Sequence, residues 1–186
     1  MSTKTSWTAF HRRGDVIRAV SHEADLRRDG VLPMQVAGVE QTFSDDLDLV
    51  SALQLRWHTR LAGMVERSLA EQPLDLEAAV EHAWAETAHE LPGIRAILDR
   101  CSESPSSTRM AQALTTVAAK ERVFLAMAAG RASGPGVEAE SVGREIQLAA
   151  SAAQQVAEPV AEEPVAEPVP AGSAAFVARI KAVLAA

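Results

Sequence analysis

Tyrosine is absent from this chain of 186 residues, cysteine occurs once, and lysine occurs three times against fifteen arginines. The lone Cys101 excludes an intramolecular disulfide and removes the paired-cysteine motifs of structural zinc and dithiol redox sites. Long apolar runs are missing too: nothing approaches the ~20 residues that a membrane-spanning helix needs. No apolar stretch with a cleavage pattern follows Met1-Ser2-Thr3-Lys4, so a reducing, cytoplasmic location is the expectation. There is no glycine-rich phosphate loop and no nucleophile elbow, and the glycines read as turn punctuation. A basic field is lacking as well, because the formal net charge is -7, which disfavours general nucleic-acid binding. These absences point away from an enzyme, and they imply no cofactor.

What is present is helical periodicity. Trp7, Phe10, Ile17, Val20 and Ala24 share one face of a first helix from about Ser6 to Arg28, stopped by Asp29-Gly30. Val31 to Thr42, with Pro33 and Gly38, reads as a connecting loop that partly packs on the body. Ser44 is the expected N-cap of a second helix, with Asp45, Asp46 and Asp48 in its first turn, where carboxylates complement the helix dipole. That helix runs to about Glu71 on a stripe of Val50, Leu53, Trp57, Leu61, Met64 and Ser68, and Gln72-Pro73 ends it. A third helix is defined by Leu76, Val80, Ala83, Trp84, Thr87 and Leu91, and a short fourth by Ile94, Ile97, Leu98 and Cys101. The fifth is expected from Ser106 to Arg131 on Met110, Leu114, Val117, Phe124, Leu125 and Ala128, closed by Gly134-Pro135-Gly136. A sixth, from Val137 to Val156, carries a weaker stripe of Val142, Ile146, Ala149, Ala153 and Val156.

At Ala157 the composition changes. Glu158 to Pro170 is a degenerate repeat with a proline every few residues, which cannot be helix or central strand because each proline removes a donor and biases its predecessor to an extended backbone. After Gly172 an apolar period returns, with Phe176, Val177, Ile180, Val183 and Leu184 on one face. The expected architecture is an all-α bundle of about six helices over residues 1–156, a disordered Pro/Glu/Ala/Val tether over 157–173 and a short amphipathic docking helix over 174–186.

The residues that could carry chemistry are few. His82, Glu86 and His89 are weak metal candidates, since Glu86-x-x-His89 has the spacing of carboxylate-bridged di-iron bundles. At about 100° per residue, however, the three lie opposite Val80, Trp84 and Leu91 and so face solvent, and no second Glu-x-x-His occurs. The better reading is a solvated polar face. Glu121 is more informative, because it sits between Val117 and Phe124-Leu125 on the inner face of the fifth helix. A buried carboxylate needs partners. Arg56, His58, Arg95 and the indole of Trp57 are candidates, and the expected role is a buried polar latch, with a functional acid of perturbed pKa as the alternative. Cys101 reads as a small apolar side chain and His58 as a boundary residue. Arg12, Arg13, Arg18, Arg27 and Arg28 interleave with Asp15, Glu23, Asp25 and Asp29, the pattern of ordinary pairs along a helix.

The tail carries the functional expectation. A roughly 17-residue spacer spans about 50 Å when extended at 3.1 Å per residue, and an isolated helix of about 13 residues is marginal in water. Burial of its five apolar side chains is worth about 7 to 15 kcal/mol gross, against a comparable ordering cost. One tail therefore binds weakly, and several tails, as in a homo-oligomer or on a repetitive target, give useful affinity. The layout is similar in arrangement, though in no sequence motif, to the docking peptides that lead cargo into bacterial protein shells. A membrane surface is the competing partner, but the Glu-rich spacer opposes approach to an anionic bilayer. The expected function is a non-catalytic interaction or adaptor protein that docks a protein partner through Phe176, Val177, Ile180, Val183 and Leu184. The alternatives are a helical metalloprotein or enzyme using Glu121 or the His82, Glu86, His89 group, and a regulator with an apolar small-molecule cavity between the second, third and fifth helices.

Overall fold

The computed structural model describes the backbone of residues 3–157 and the side chains of residues 12–153. Among these residues there are seven helices and no strand: α1 (Thr3–Arg27), α2 (Val39–Thr42), α3 (Asp46–Ala70), α4 (Leu76–Glu90), α5 (Pro92–Glu103), α6 (Thr108–Ala128) and α7 (Val137–Ala157). The fold is an all-α bundle. Residues 158–186, which include most of the expected tether and all of the expected docking helix, lie outside the described residues, as do the side chains of Trp7 and Phe10.

Local chemistry sets the helix ends, and it corrects three expectations. The N-cap of α3 is Asp45, not Ser44: the Asp45 carboxylate accepts from the Asp48 N–H at 2.8 Å, while the Asp48 carboxylate accepts from the Ser44 N–H at 3.1 Å. A carboxylate one position later caps the same turn, and the two acids satisfy donors reciprocally, at about 1 kcal/mol per cap. Asp75 and Ser107 cap α4 and α6 in the same way. The end of α6 comes three residues earlier than Arg131, at Ala128, and Gly130 closes it. This glycine adopts φ 68°, and the Arg131 and Gly130 N–H groups bond back to Ala126 and Met127 in the Schellman pattern. The expected loop 31–42 contains the single turn α2, anchored by fully buried Val39 and closed by buried Phe43.

The core is assembled from side chains between Val16 and Ala150, with Trp57, Leu49, Leu53, Leu61, Ile94, Ile97, Leu98 and Leu125 wholly enclosed. The longest contact is α3 against α4, while the main partner of α1 is α5 rather than the helix that follows it in sequence. Gly93, near the start of α5, explains that choice. A Cβ there would collide with the main chain of α1 at Ala24, so the missing side chain lets the two backbones touch, and the Gly93 N–H donates to Asp25 at 2.9 Å. The stripe of α7 is also shifted. Ala139, Gly143, Ile146 and Ala150 are buried, whereas Ala149 and Ala153 are exposed. Gly143 is the reason: it packs directly on the α6 main chain at Arg122, where a Cβ would clash with the Arg122 carbonyl. In this helix Gly143, the smallest residue, marks the inner face as firmly as Ile146 does. Leu76, expected inside, is exposed at the first position of α4.

Candidate functional site

Glu121 is 4% exposed and lies at the convergence of four helices. Its Oε2 accepts from the Trp57 indole N–H at 2.9 Å and the Gln54 amide at 3.4 Å, both on α3. Its Oε1 accepts from the Gln147 amide of α7 at 2.8 Å and the Trp84 indole N–H of α4 at 3.3 Å. Four neutral N–H donors therefore fill the carboxylate's acceptor capacity, which is how a buried carboxylate is made tolerable without a direct ion pair. A cation stands one layer away. The Arg95 guanidinium is 4.8 Å from the Trp57 ring centre and 6.0 Å from that of Trp84, so positive charge lies over the faces of the rings that donate to the carboxylate. The two indoles meet edge to face with centroids 5.7 Å apart.

Among the partners considered for Glu121, the structure selects Trp57 and sets the others aside. Arg56 is exposed, His58 stacks edge-on against Phe124 at 5.4 Å, and Arg95 spends its guanidinium on Asp99 at 3.0 Å and on the indoles. Gln54, Trp84 and Gln147 carried no signal as partners. Trp84 was legible as a core aromatic, and a buried indole needs an acceptor, which is the one clue the sequence offered.

Beside this carboxylate lies a cleft of about 380 Å³. Its polar wall comprises Arg95, Asp99, Arg122, Arg144 and Gln147, and its apolar wall Leu114, Ala118 and Leu148. The regulator alternative calls for an apolar cavity between the second, third and fifth helices; the cleft at the corresponding α3, α4 and α6 differs from it, because it also involves α5 and α7 and half its lining is polar.

The chain matches no protein-family model, no curated protein and no solved structure at a significant level. Function therefore rests on the chemistry of these residues alone.

The other expected site residues are scattered. His82 and His89 are exposed and Glu86 is half-buried on the outer side of α4, and among the described residues no group of three or more His, Cys, Asp or Glu is placed to hold a metal ion. Cys101 packs against the core, and burial pushes its thiol pKa up, away from a reactive thiolate. The α1 arginines are largely engaged. Arg13 bonds Asp48 at 2.7 Å and lies 4.4 Å over the Phe43 ring, Arg18 pairs with Asp15, and Arg27 with Asp29 at 2.6 Å. The Arg13 guanidinium, with the Ser44 N–H, holds the Asp48 carboxyl below its ordinary range.

A second concavity, an open groove of about 710 Å³, runs between α1 and α3. Gly14, Ala52 and Gly63 supply small residues to it, Ile17 and Leu55 supply apolar ones, and Leu55 is 67% exposed. Arg18, Arg56, Arg60 and Arg67 also line it. Arg60 pairs with Glu90, whereas Arg56 and Arg67 have no ion pair among the described residues. No helix of the described residues is long and apolar enough to cross a membrane.

Proposed function

We propose that the chain is a non-catalytic helical interaction protein that docks a protein partner through residues 174–186, with the bundle as scaffold. The observation that carries this reading is the break at Ala157. The described core draws its side chains from residues 16 to 150, and the sequence then passes through a proline- and glutamate-rich spacer to a renewed apolar face at Phe176, Val177, Ile180, Val183 and Leu184. An amphipathic helix presented in this way suits a hydrophobic groove on the partner. The α1–α3 groove supports the same reading from the side of the bundle. An exposed leucine flanked by unpaired arginines is a surface that complements an acidic amphipathic segment of a partner.

The test uses the full-length chain as bait beside Ile180→Asp and a chain lacking residues 157–186. Loss of the same partner from both variants is expected; full retention by both overturns the reading. A photo-cross-linking residue at Leu55, with one at exposed Leu74 as control, examines the groove. Cross-links to acidic peptides from position 55 alone are expected, and equal labelling from both positions counts against it.

A further inference from the structure

We infer that the cleft beside Glu121 binds a small organic carboxylate with a short aliphatic chain, a role independent of the docking function proposed above. Glu121 lines the cleft, but both of its oxygens are already taken by four N–H donors. Asp99 is held by Arg95. Glu121 has no acceptor to spare for a cationic ligand, and Asp99 is already paired with a cation through both oxygens. The free capacity is on the donor side.

Arg122 supplies most of it. This half-buried guanidinium uses Nε to bond the Gln147 side-chain oxygen at 3.2 Å. Gln147 cannot reverse its amide, because its nitrogen is committed to Glu121 at 2.8 Å and a carboxylate accepts only. The relay from Glu121 through Gln147 to Arg122 therefore fixes the guanidinium and leaves its two terminal nitrogens without a partner among the described residues, the fork that takes a carboxylate in bidentate fashion. Arg144 is a second cleft arginine with no ion pair among the described residues. The contact of Gly143 with the main chain at Arg122 brings α6 and α7 together at this point, and with them the two arginines.

Size and lining narrow the ligand. Three arginines face two carboxylates, an excess of one positive charge, which matches a monoanion. Leu114, Ala118 and Leu148 give the remainder of the ligand an apolar wall, and a neighbouring concavity of about 200 Å³ shares Ser102, Leu114, Ala118 and Arg122 with the cleft. About 300 Å³ is the lower end of small-molecule sites, so a carboxylate of several carbons fits and a macromolecule does not.

Hexanoate, acetate and inorganic phosphate titrated separately onto the full-length protein provide the test, read by calorimetry and by tryptophan emission, since Trp84 lines the cleft. Hexanoate is expected to saturate and shift the emission, with acetate about tenfold or more weaker because it leaves the apolar wall uncovered. Arg122→Gln should weaken hexanoate about tenfold or more through loss of a charge-assisted pair, and Arg144→Gln by less. Arg109→Gln, outside the cleft, should leave it unchanged. Leu148→Ala should shrink the preference for hexanoate over acetate without altering acetate itself, and this ratio decides the matter if Arg122→Gln does not fold. Absence of saturation by hexanoate, saturation indifferent to both Arg122→Gln and Leu148→Ala, or tighter binding of phosphate than of hexanoate would each overturn the inference.

Discussion

Two glutamates on packed helices meet opposite surroundings. Glu121 of α6 is enclosed and receives four N–H donors from α3, α4 and α7, whereas Glu86 of α4 lies on the outer side of its helix beside exposed His82 and His89. Glu86 has the more suggestive spacing and Glu121 has none. The difference lies in the stripe each belongs to. Trp84, two residues before Glu86, points inward to Glu121, and a step of two residues carries the chain to the other side of the helix. Burial, not spacing, decides which carboxylate is committed to structure, and substitutions that break this contrast should do so by very different amounts.

The largest effect is expected at Glu121. Glu121→Ala strands the indole donors of Trp57 and Trp84 inside the core, and each unsatisfied buried donor costs about 1 to 3 kcal/mol. Gln54 and Gln147, half-buried, recover bonds to water more readily. A loss of about 2 to 4 kcal/mol follows, measurable by urea unfolding. Glu121→Gln should be intermediate, because its NH2 faces donors where an acceptor is needed. Of the two tryptophans, Trp57→Phe should cost more than Trp84→Phe, since Trp57 is wholly buried and makes the shorter bond, 2.9 against 3.3 Å. Equal losses would show that the Trp57 bond is not the stronger of the two indole bonds.

Gly143→Ala comes next. The added methyl meets the Arg122 main chain rather than a flexible side chain, so α7 must move off α6 at an overpacking cost of about 1 to 3 kcal/mol. An unchanged melting temperature would place the α6–α7 crossing elsewhere.

Much of the fold was legible because large apolar residues mark a face by their period: Val50, Leu53, Trp57 and Leu61 located the buried side of α3 without ambiguity. Gly143 was not legible, because a close backbone approach leaves no hydrophobic trace and alanine-rich helices carry little periodic contrast. Glu121 stood out as a polar residue inside an apolar stripe, yet of its four partners only Trp57 was among the candidates. All four donors come from residues 26 to 67 positions away, and nothing in a linear pattern encodes which distant amide or indole fills a lone pair. The turn α2 was hidden by Pro33 and Gly38, which correctly mark irregular chain but do not show where a single helical turn interrupts it.

A smaller effect is expected at the rim of the bundle. The pKa of Asp48 is lowered in the folded state, first by its bond to Arg13 and then by the Ser44 N–H. A depressed folded pKa contributes stability above the unfolded value, near 3.8, and that contribution is lost as pH falls through the lower folded value. Asp48→Asn should therefore reduce stability slightly at pH 7 and have progressively less effect below pH ~4. The pair is partly exposed, so screening keeps the effect small. A gap between the two proteins that widens on acidification would reverse the assigned sign.

The least effect belongs to the outer face of α4. His82→Ala and His89→Ala remove exposed side chains that take part in none of the contacts holding Glu121, and replacing histidine by alanine raises helix propensity by several tenths of a kcal/mol. Each should change stability by no more than about 0.5 kcal/mol, with either sign. The double variant sharpens the contrast further. Two exposed sites about two helical turns apart should add, whereas an ion shared between them would be lost with either histidine, so the double variant would cost less than the sum of the singles. Urea unfolding of the single and double variants, in buffer with and without zinc, separates the two cases. Additive changes that are indifferent to zinc are expected; a non-additive loss that appears only with metal present would move His82, Glu86 and His89 from solvated surface to ligand set.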